Sequence, residues 1–414
     1  MSITDPLGLL DRDLTNYDTA YDTCVSNATE RERIMVDWYR EFAGHDPADS
    51  DMAHGEWRIS VERLRWLTMR GALQEAWPLP AQPMPPSPNP PPVGDMRRLV
   101  PQHHYFVKDG GERFTVICAT DFCLQKMCCG GLDVHPVLAQ RQACGFNMVR
   151  VFIAQDWGDS AYRVRPDQHP NYYERLADLA QSCSDHGLYL MACAFADHGA
   201  FSSDQARLDH WARTADVLRP HPNVLLELVN ENNITGSLDP NLFAKPDGLV
   251  ASHGSNGSQT LAVRPWWDWE AFHTNGAPEE QRKIGHNAME LADGTPDWPG
   301  SHVPVITNET SRYWEVGMWN RPLGEQQMLA YDSAAGAALQ CAGSCFHSVN
   351  GKLSLLWTPN EEAVARSWAA GALSVPLEYQ DGRYQRIDDL AANELRKYRR
   401  VLGDGRFHEV VIHK

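Results

Sequence analysis

The chain has 414 residues, 43% of them apolar, and a formal charge of -17. It is too long for one small module and too apolar for a disordered chain. The acidic balance argues against nucleic acid and anionic membranes as partners, and no run nears the ~20 apolar residues of a membrane-spanning helix.

The first residues, MSITDPLGLLDRDLTNYD, place acids early and lack the basic-then-apolar pattern of a signal peptide. Cytoplasmic synthesis is the expectation, with association with a virion or release by a non-classical route as further possibilities. Residues 28–44 carry Ile34, Met35, Trp38, Tyr39 and Phe42 at helical spacing, and residues 55–77 repeat the pattern with Trp57, Val61, Leu64 and Leu67. Two helices of this size bury little alone. Residues 1–76 are therefore expected to pack on the rest of the chain, to self-associate, or to dock on a larger assembly. The stretch WPLPAQPMPPSPNPPPVGD follows. Its prolines forbid a helix interior or a central strand, so residues 77–101 read as an extended spacer.

From residue 102 to 414 the rhythm is strand, helix, strand. Apolar, β-branched runs at 113–120, 146–154, 188–196, 223–229 and 303–308 read as strands, with weaker ones at 248–252, 267–274 and 344–349. Amphipathic helices are expected at 134–145, 172–187, 203–220, 279–294, 324–343 and 387–403. Near-continuous apolar strands alternating with helices indicate a parallel sheet covered on both faces. Eight such strands predict an α/β fold, a (β/α)8 TIM barrel, with a doubly wound sheet as the alternative. No GxGxxG or GxxxxGK[ST] turn is present, so no nucleotide cofactor is expected. The ten cysteines sit in apolar runs or at spacings without a CxxC pair, and read as buried thiols rather than disulfides or metal ligands.

In a barrel, working residues stand at the C-terminal strand ends. The ends offer Thr120 and Asp121, Arg150 and Gln155, Asp197 and His198, Asn230 and Glu231, His273, Asn308 and Glu309, and His347. Two carboxylates at the ends of strands four and seven would face each other across the mouth. Such a pair suits glycoside cleavage, where one protonates the leaving oxygen and the other attacks or directs water. Trp266, Trp267, Trp269, Trp298, Trp314, Trp319 and Trp357 cluster late in the chain; their faces could stack on sugars or fill the core. A metal site built from His198, His273 and His347 is a further alternative.

These motifs resemble clan A glycoside hydrolases, with cellulase-like and apiosidase-like relatives. HPNVLLELVNENN is similar to the clan's fourth strand, VPVITNETS to its seventh and GFNMVRVFIA to its second. Looser similarity extends to YFVKDGGERFTVICATDF, AGSCFHSVNG and LRKYRRVLGDGRFHEVV. The resemblance implies a retaining enzyme on a β-linked oligo- or polysaccharide, without a metal or other cofactor. It assigns Glu231 as acid/base, Glu309 as nucleophile and Arg150 as the support of that nucleophile. Asn230, His198, His273, His347 and Trp314 would bind the sugar. A non-catalytic carbohydrate-binding or structural barrel, carried on a virion, is the alternative. Asn232 stands where the clan usually has proline, and His273 and Thr274 stand near the expected place of a sixth-strand tyrosine.

Overall fold

The computed structural model describes residues 96–102, 105–156, 163–196, 198–232, 238–255, 267–273, 303–310, 322–375, 385–389, 395–401 and 407–413. The helices expected within 1–76 and at 279–294 lie outside these residues, as does the proline-rich stretch 77–95.

Eight parallel strands form one sheet: β1 Val116–Thr120, β2 Met148–Phe152, β3 Tyr189–Phe195, β4 Val224–Val229, β5 Val250–Gly254, β6 Glu270–His273, β7 Val305–Thr310 and β8 Gly343–Phe346. Their order is β5-β4-β3-β2-β1-β8-β7-β6. The two edges meet through Asp268. Its backbone N–H donates to the Ala251 carbonyl at 2.9 Å, and its carboxylate accepts from the Ala251 N–H at 3.0 Å. The sheet thereby closes into a (β/α)8 barrel. Strand side chains alternate between two apolar environments, which explains the unbroken apolar runs. Cys118, Met148, Met191, Leu225, Ile306 and Cys345 fill the interior, whereas Val149, Val151, Leu190 and Leu226 face the helices.

A small antiparallel sheet, Leu99–Gln102 with Tyr105–Lys108 and Arg113–Phe114, adds to the inner core. Leu99, Phe106 and Phe114 join the cluster of Met148, Tyr189 and Leu225 at the N-terminal strand ends. Phe114 meets the Tyr189 ring edge-on at 4.8 Å, and the Tyr189 hydroxyl donates to the Arg97 carbonyl at 2.6 Å. Residues 99–101, which read as the end of the spacer, are thus strand. A buried Leu99 and a pairing partner outweigh the neighbouring proline, which sits where an edge strand tolerates it.

Helices α1 His135–Ala143, α2 Tyr172–Asp185, α3 Asp204–Leu218, α4 Leu323–Gln340 and α5 Pro359–Leu373 pack outside the strands. Ser203 caps α3, its hydroxyl accepting from the Ala206 N–H at 3.2 Å. Helix α5 was not expected, although its start carries the signal: Thr358 and Glu361 form a capping box around Pro359. The helix expected at 387–403 is instead part of an antiparallel sheet of Gln385–Asp389, Leu395–Val401 and Phe407–His413. The leucine, lysine and arginines of LRKYRRV are good helix formers, but propensity is a weak prior and pairing with the β-branched FHEVVIH strand overrides it. Among the described residues no helix is long and apolar enough to cross a membrane. Eight of the nine described cysteines are buried, and burial pushes the thiol pKa of Cys128, Cys144 and Cys341 up to about 12.

His210 on α3 is 2% exposed, among Tyr172, Phe195 and Phe201, with Tyr173 Oη 3.0 Å from its Nδ1. Burial lowers its pKa from 6.5 to about 3. The unfolded chain therefore binds a proton that the folded chain refuses. The associated stability is complete above pH 6.5 and is lost as pH falls toward 3, by up to about 1.4 kcal/mol per unit. Urea denaturation of wild type and His210→Phe at pH 7 and pH 5 is the check, and the variant is expected to lose less stability on acidification.

Candidate active site

The C-terminal end of the barrel concentrates polar groups that the apolar strands otherwise lack. Arg150 on β2 and Glu227 on β4 both point inward and are 0% exposed. Arg150 donates from Nε to Glu227 Oε2 at 2.7 Å and from Nη2 to Oε1 at 2.9 Å. This two-point fork fixes both side chains. The same Nη2 donates to Asn230 Oδ1 at 2.8 Å. Asn308 on β7 donates to Glu227 Oε1 at 3.2 Å and accepts from Cys345 Sγ at 3.3 Å. A buried network thus ties strands two, four, seven and eight.

Above it, the chain leaves β4 through Asn230 and Glu231. Glu231 adopts φ 44°, a left-handed conformation that few non-glycine residues accept. Such strain costs on the order of 1–3 kcal/mol and concentrates at functional sites. The Glu231 carboxylate is 18% exposed and lies 3.1 Å from Nδ1 of the fully buried His273 at the end of β6. His273 Nε2 in turn lies 2.9 Å from Ser255 Oγ, just past β5.

Glu309 lies in β7, one residue after Asn308, whose backbone pairs with His273. The pairing of β7 with β8 slips between Thr307 and Thr310, where three residue steps oppose two from Ser344 to Phe346. The extra residue makes a bulge at Asn308–Glu309, a device that re-aims side chains beside active sites.

On the opposite rim His347 follows β8. Its Nδ1 is 2.7 Å from Thr120 Oγ1, and its ring packs against Phe122, which stacks on Phe152 at 3.8 Å. Asp121 is turned away into a buried ion pair with Arg141 at 2.8 Å; burial raises its carboxyl pKa, with Arg141 opposing the shift. Trp269 and Trp357 are buried core residues, and Trp267 stacks on Trp211. Trp314, Trp266, Trp298, Trp319 and the side chains of His198 and Glu309 lie outside the described residues, as does Asp197. The contact expected between Arg150 and Glu309 falls there too.

The structure therefore brings Arg150, Asn230, Glu231 and His273 into one cluster, with His347 across the mouth. Glu227 is the residue the sequence reading passed over. Its signal was present: a single charge inside the apolar run VLLELV can persist only if a buried partner meets it. Ser255 had no signal, because one serine in a loop rich in glycine and serine looks like any other. Among the described residues no group of three His, Cys, Asp or Glu side chains could hold a metal ion.

A scan against protein-family models finds no match, and no curated protein matches the sequence. Solved structures do match. A glycoside hydrolase superposes with a TM-score of 0.51 at 12% identity, over 78% of this chain and 93% of its own. A protein from Bacteroides vulgatus ATCC 8482, described as a candidate glycoside hydrolase, gives 0.53 at 12% identity, over 75% of this chain and 67% of its own. The fold is that of glycoside hydrolase barrels. The likeness is one of backbone, and the chemistry rests on the residues above.

The Arg150–Glu227 pair is itself testable. Glu227→Gln leaves a buried guanidinium short of its counter-charge and is expected to cost about 3 kcal/mol. The double variant Arg150→Met, Glu227→Leu should regain most of that loss, because an apolar pair needs no desolvation. Urea denaturation of the three proteins measures both effects.

Proposed function

We propose that the protein is a retaining glycoside hydrolase acting on a β-linked oligo- or polysaccharide. The observation that carries this reading is the placement of two glutamates at one end of a parallel barrel. Glu231 ends β4 with its carboxylate against His273, and Glu309 stands at the bulged end of β7. In the first step the Glu309 carboxylate forms a bond to the anomeric carbon while the bond to the leaving oxygen breaks. Glu231 gives that oxygen its proton. In the second step Glu231 takes a proton from water, the water oxygen bonds to the anomeric carbon, and Glu309 is released. Arg150 holds Asn230 Oδ1 and so orients the Asn230 amide beside the scissile bond, where hydrogen bonds to a sugar hydroxyl tighten in the transition state. His347, fixed by Thr120, lines the facing wall. His273 is wholly buried and engaged with Glu231, which supports a role on the acid/base rather than on the sugar.

The general acid is tested with Glu231→Gln. Hydrolysis of unactivated glycosides should fall by a factor of about 10² or more, and aryl glycosides with good leaving groups should suffer least. Wild-type rates on an unactivated substrate would remove Glu231 from the role.

The nucleophile is tested by trapping. A 2-deoxy-2-fluoro glycoside with a good leaving group should label Glu309 covalently, as located by peptide mass spectrometry. Proton NMR of the first-formed product should show the substrate's own anomeric configuration; the opposite anomer would replace retention by inversion. A protein that binds oligosaccharides and releases no sugar from any of a broad panel would be a carbohydrate-binding barrel instead.

A further inference from the structure

Among the described residues Ser255 makes four hydrogen bonds, and each ends within residues 229–232, which include Glu231, or on its partner His273. The Ser255 N–H donates to the Val229 carbonyl at 3.0 Å, and the Ser255 carbonyl accepts from the Asn232 N–H at 3.0 Å. Its hydroxyl oxygen accepts from the Glu231 N–H at 3.2 Å and lies 2.9 Å from His273 Nε2. Val229, Glu231 and Asn232 are thus held to one residue across the β4–β5 seam, and Glu231 sits between with its φ of 44°. The approach needs Gly254. A Cβ there would stand 1.8 Å from the Val229 carbonyl oxygen, and Gly254 itself has φ +98°.

Proton accounting favours one tautomer. Ser255 is 1% exposed, and its hydroxyl oxygen already accepts from Glu231. A hydroxyl has one proton to give. Engaging that proton in a hydrogen bond at His273 Nε2, 2.9 Å away, makes Nε2 the acceptor. A neutral imidazole that accepts at Nε2 carries its hydrogen on Nδ1, and Nδ1 faces Glu231 Oε1 at 3.1 Å.

We propose that Ser255 is a positioning residue for the acid/base: it clamps the strained Glu231 turn and sets the His273 tautomer so that Nδ1–H donates to the Glu231 carboxylate. This rests on the reading of Glu231 as the acid/base. When Glu231 gives up its proton, the Nδ1–H contact becomes charge-assisted and strengthens as the negative charge forms. The proton on Nδ1 stays there throughout, and no group beyond those named is required.

The test compares wild type, Ser255→Ala, Ser255→Thr and Glu231→Ala on two glycosides of the same sugar, one with a dinitrophenyl leaving group and one with an alkyl leaving group. For Ser255→Ala, kcat/KM on the alkyl glycoside should fall roughly ten- to hundredfold and on the dinitrophenyl glycoside by less than about threefold, because only the first needs a proton. Ser255→Thr, which keeps the hydroxyl, should restore the alkyl rate. Equal losses on both substrates, or no loss, would overturn the role of Ser255. If Glu231→Ala lacks the leaving-group split and is not rescued by azide, the acid/base assignment fails and the proposal with it. If Glu231→Ala shows the split and Ser255→Ala does not, Ser255 alone is wrong. Should Ser255→Ala not fold, long-range nitrogen NMR of wild-type His273 decides: protonation at Nδ1 supports the proposal, and protonation at Nε2 overturns it.

Discussion

A buried guanidinium and a buried carboxylate inside the barrel set the terms for everything at its mouth. Arg150 and Glu227 are both removed from water and meet through two parallel hydrogen bonds. Desolvating two charges costs several kcal/mol each, and their attraction repays this only with good geometry and every remaining donor and acceptor engaged. The geometry is met by the fork. The extra engagement comes from Asn230 and Asn308. A pair of apolar residues would fill the same volume at less cost, so the pair is better understood as an organiser than as a source of stability. It holds one amide from the end of β4 and one from the end of β7, the two strands that carry Glu231 and Glu309.

Above this rigid layer the backbone is deliberately irregular. Glu231 stands in a left-handed conformation, Gly254 in another that only glycine accepts at that distance, and β7 carries a bulge at the level of Glu309. Each irregularity lies at a strand end, and below that level the barrel pairs regularly. Regular pairing alternates side chains between interior and exterior, and a bulge breaks that period.

The opposite end of the barrel has its own close approach, at Gly343, where a Cβ would stand 2.1 Å from the Val116 carbonyl oxygen, and it is packed with apolar side chains. Leu99, Phe106 and Phe114 fill the interior against Met148, Tyr189 and Leu225, and Arg98 donates to the carbonyls of Gly248 and Arg219. The strain at the C-terminal face is carried by a structure whose core and far end are packed with apolar side chains.

By itself the sequence determined the eight strands and most of the described helices, because an apolar run of β-branched residues with a helix-period segment on either side has few other uses. It also determined that Asn230–Glu231 and Asn308–Glu309 lie at strand ends. The tertiary structure alone decided who partners whom. Arg150 grips Glu227 and Asn230, since which inward residues share a layer depends on strand stagger and not on any local pattern. His273 and Ser255 come together because Asp268 brings β5 and β6 side by side, and the same ring meets Glu231. Within 387–403 the charged residues are helix-compatible enough to mislead, and pairing with Phe407–His413 makes Leu395–Val401 a strand. Periodicity records how a segment buries one face against its surroundings. It carries no record of contacts between residues 77 or 42 positions apart, such as Arg150 with Glu227 and Glu231 with His273, and the candidate site is made of these.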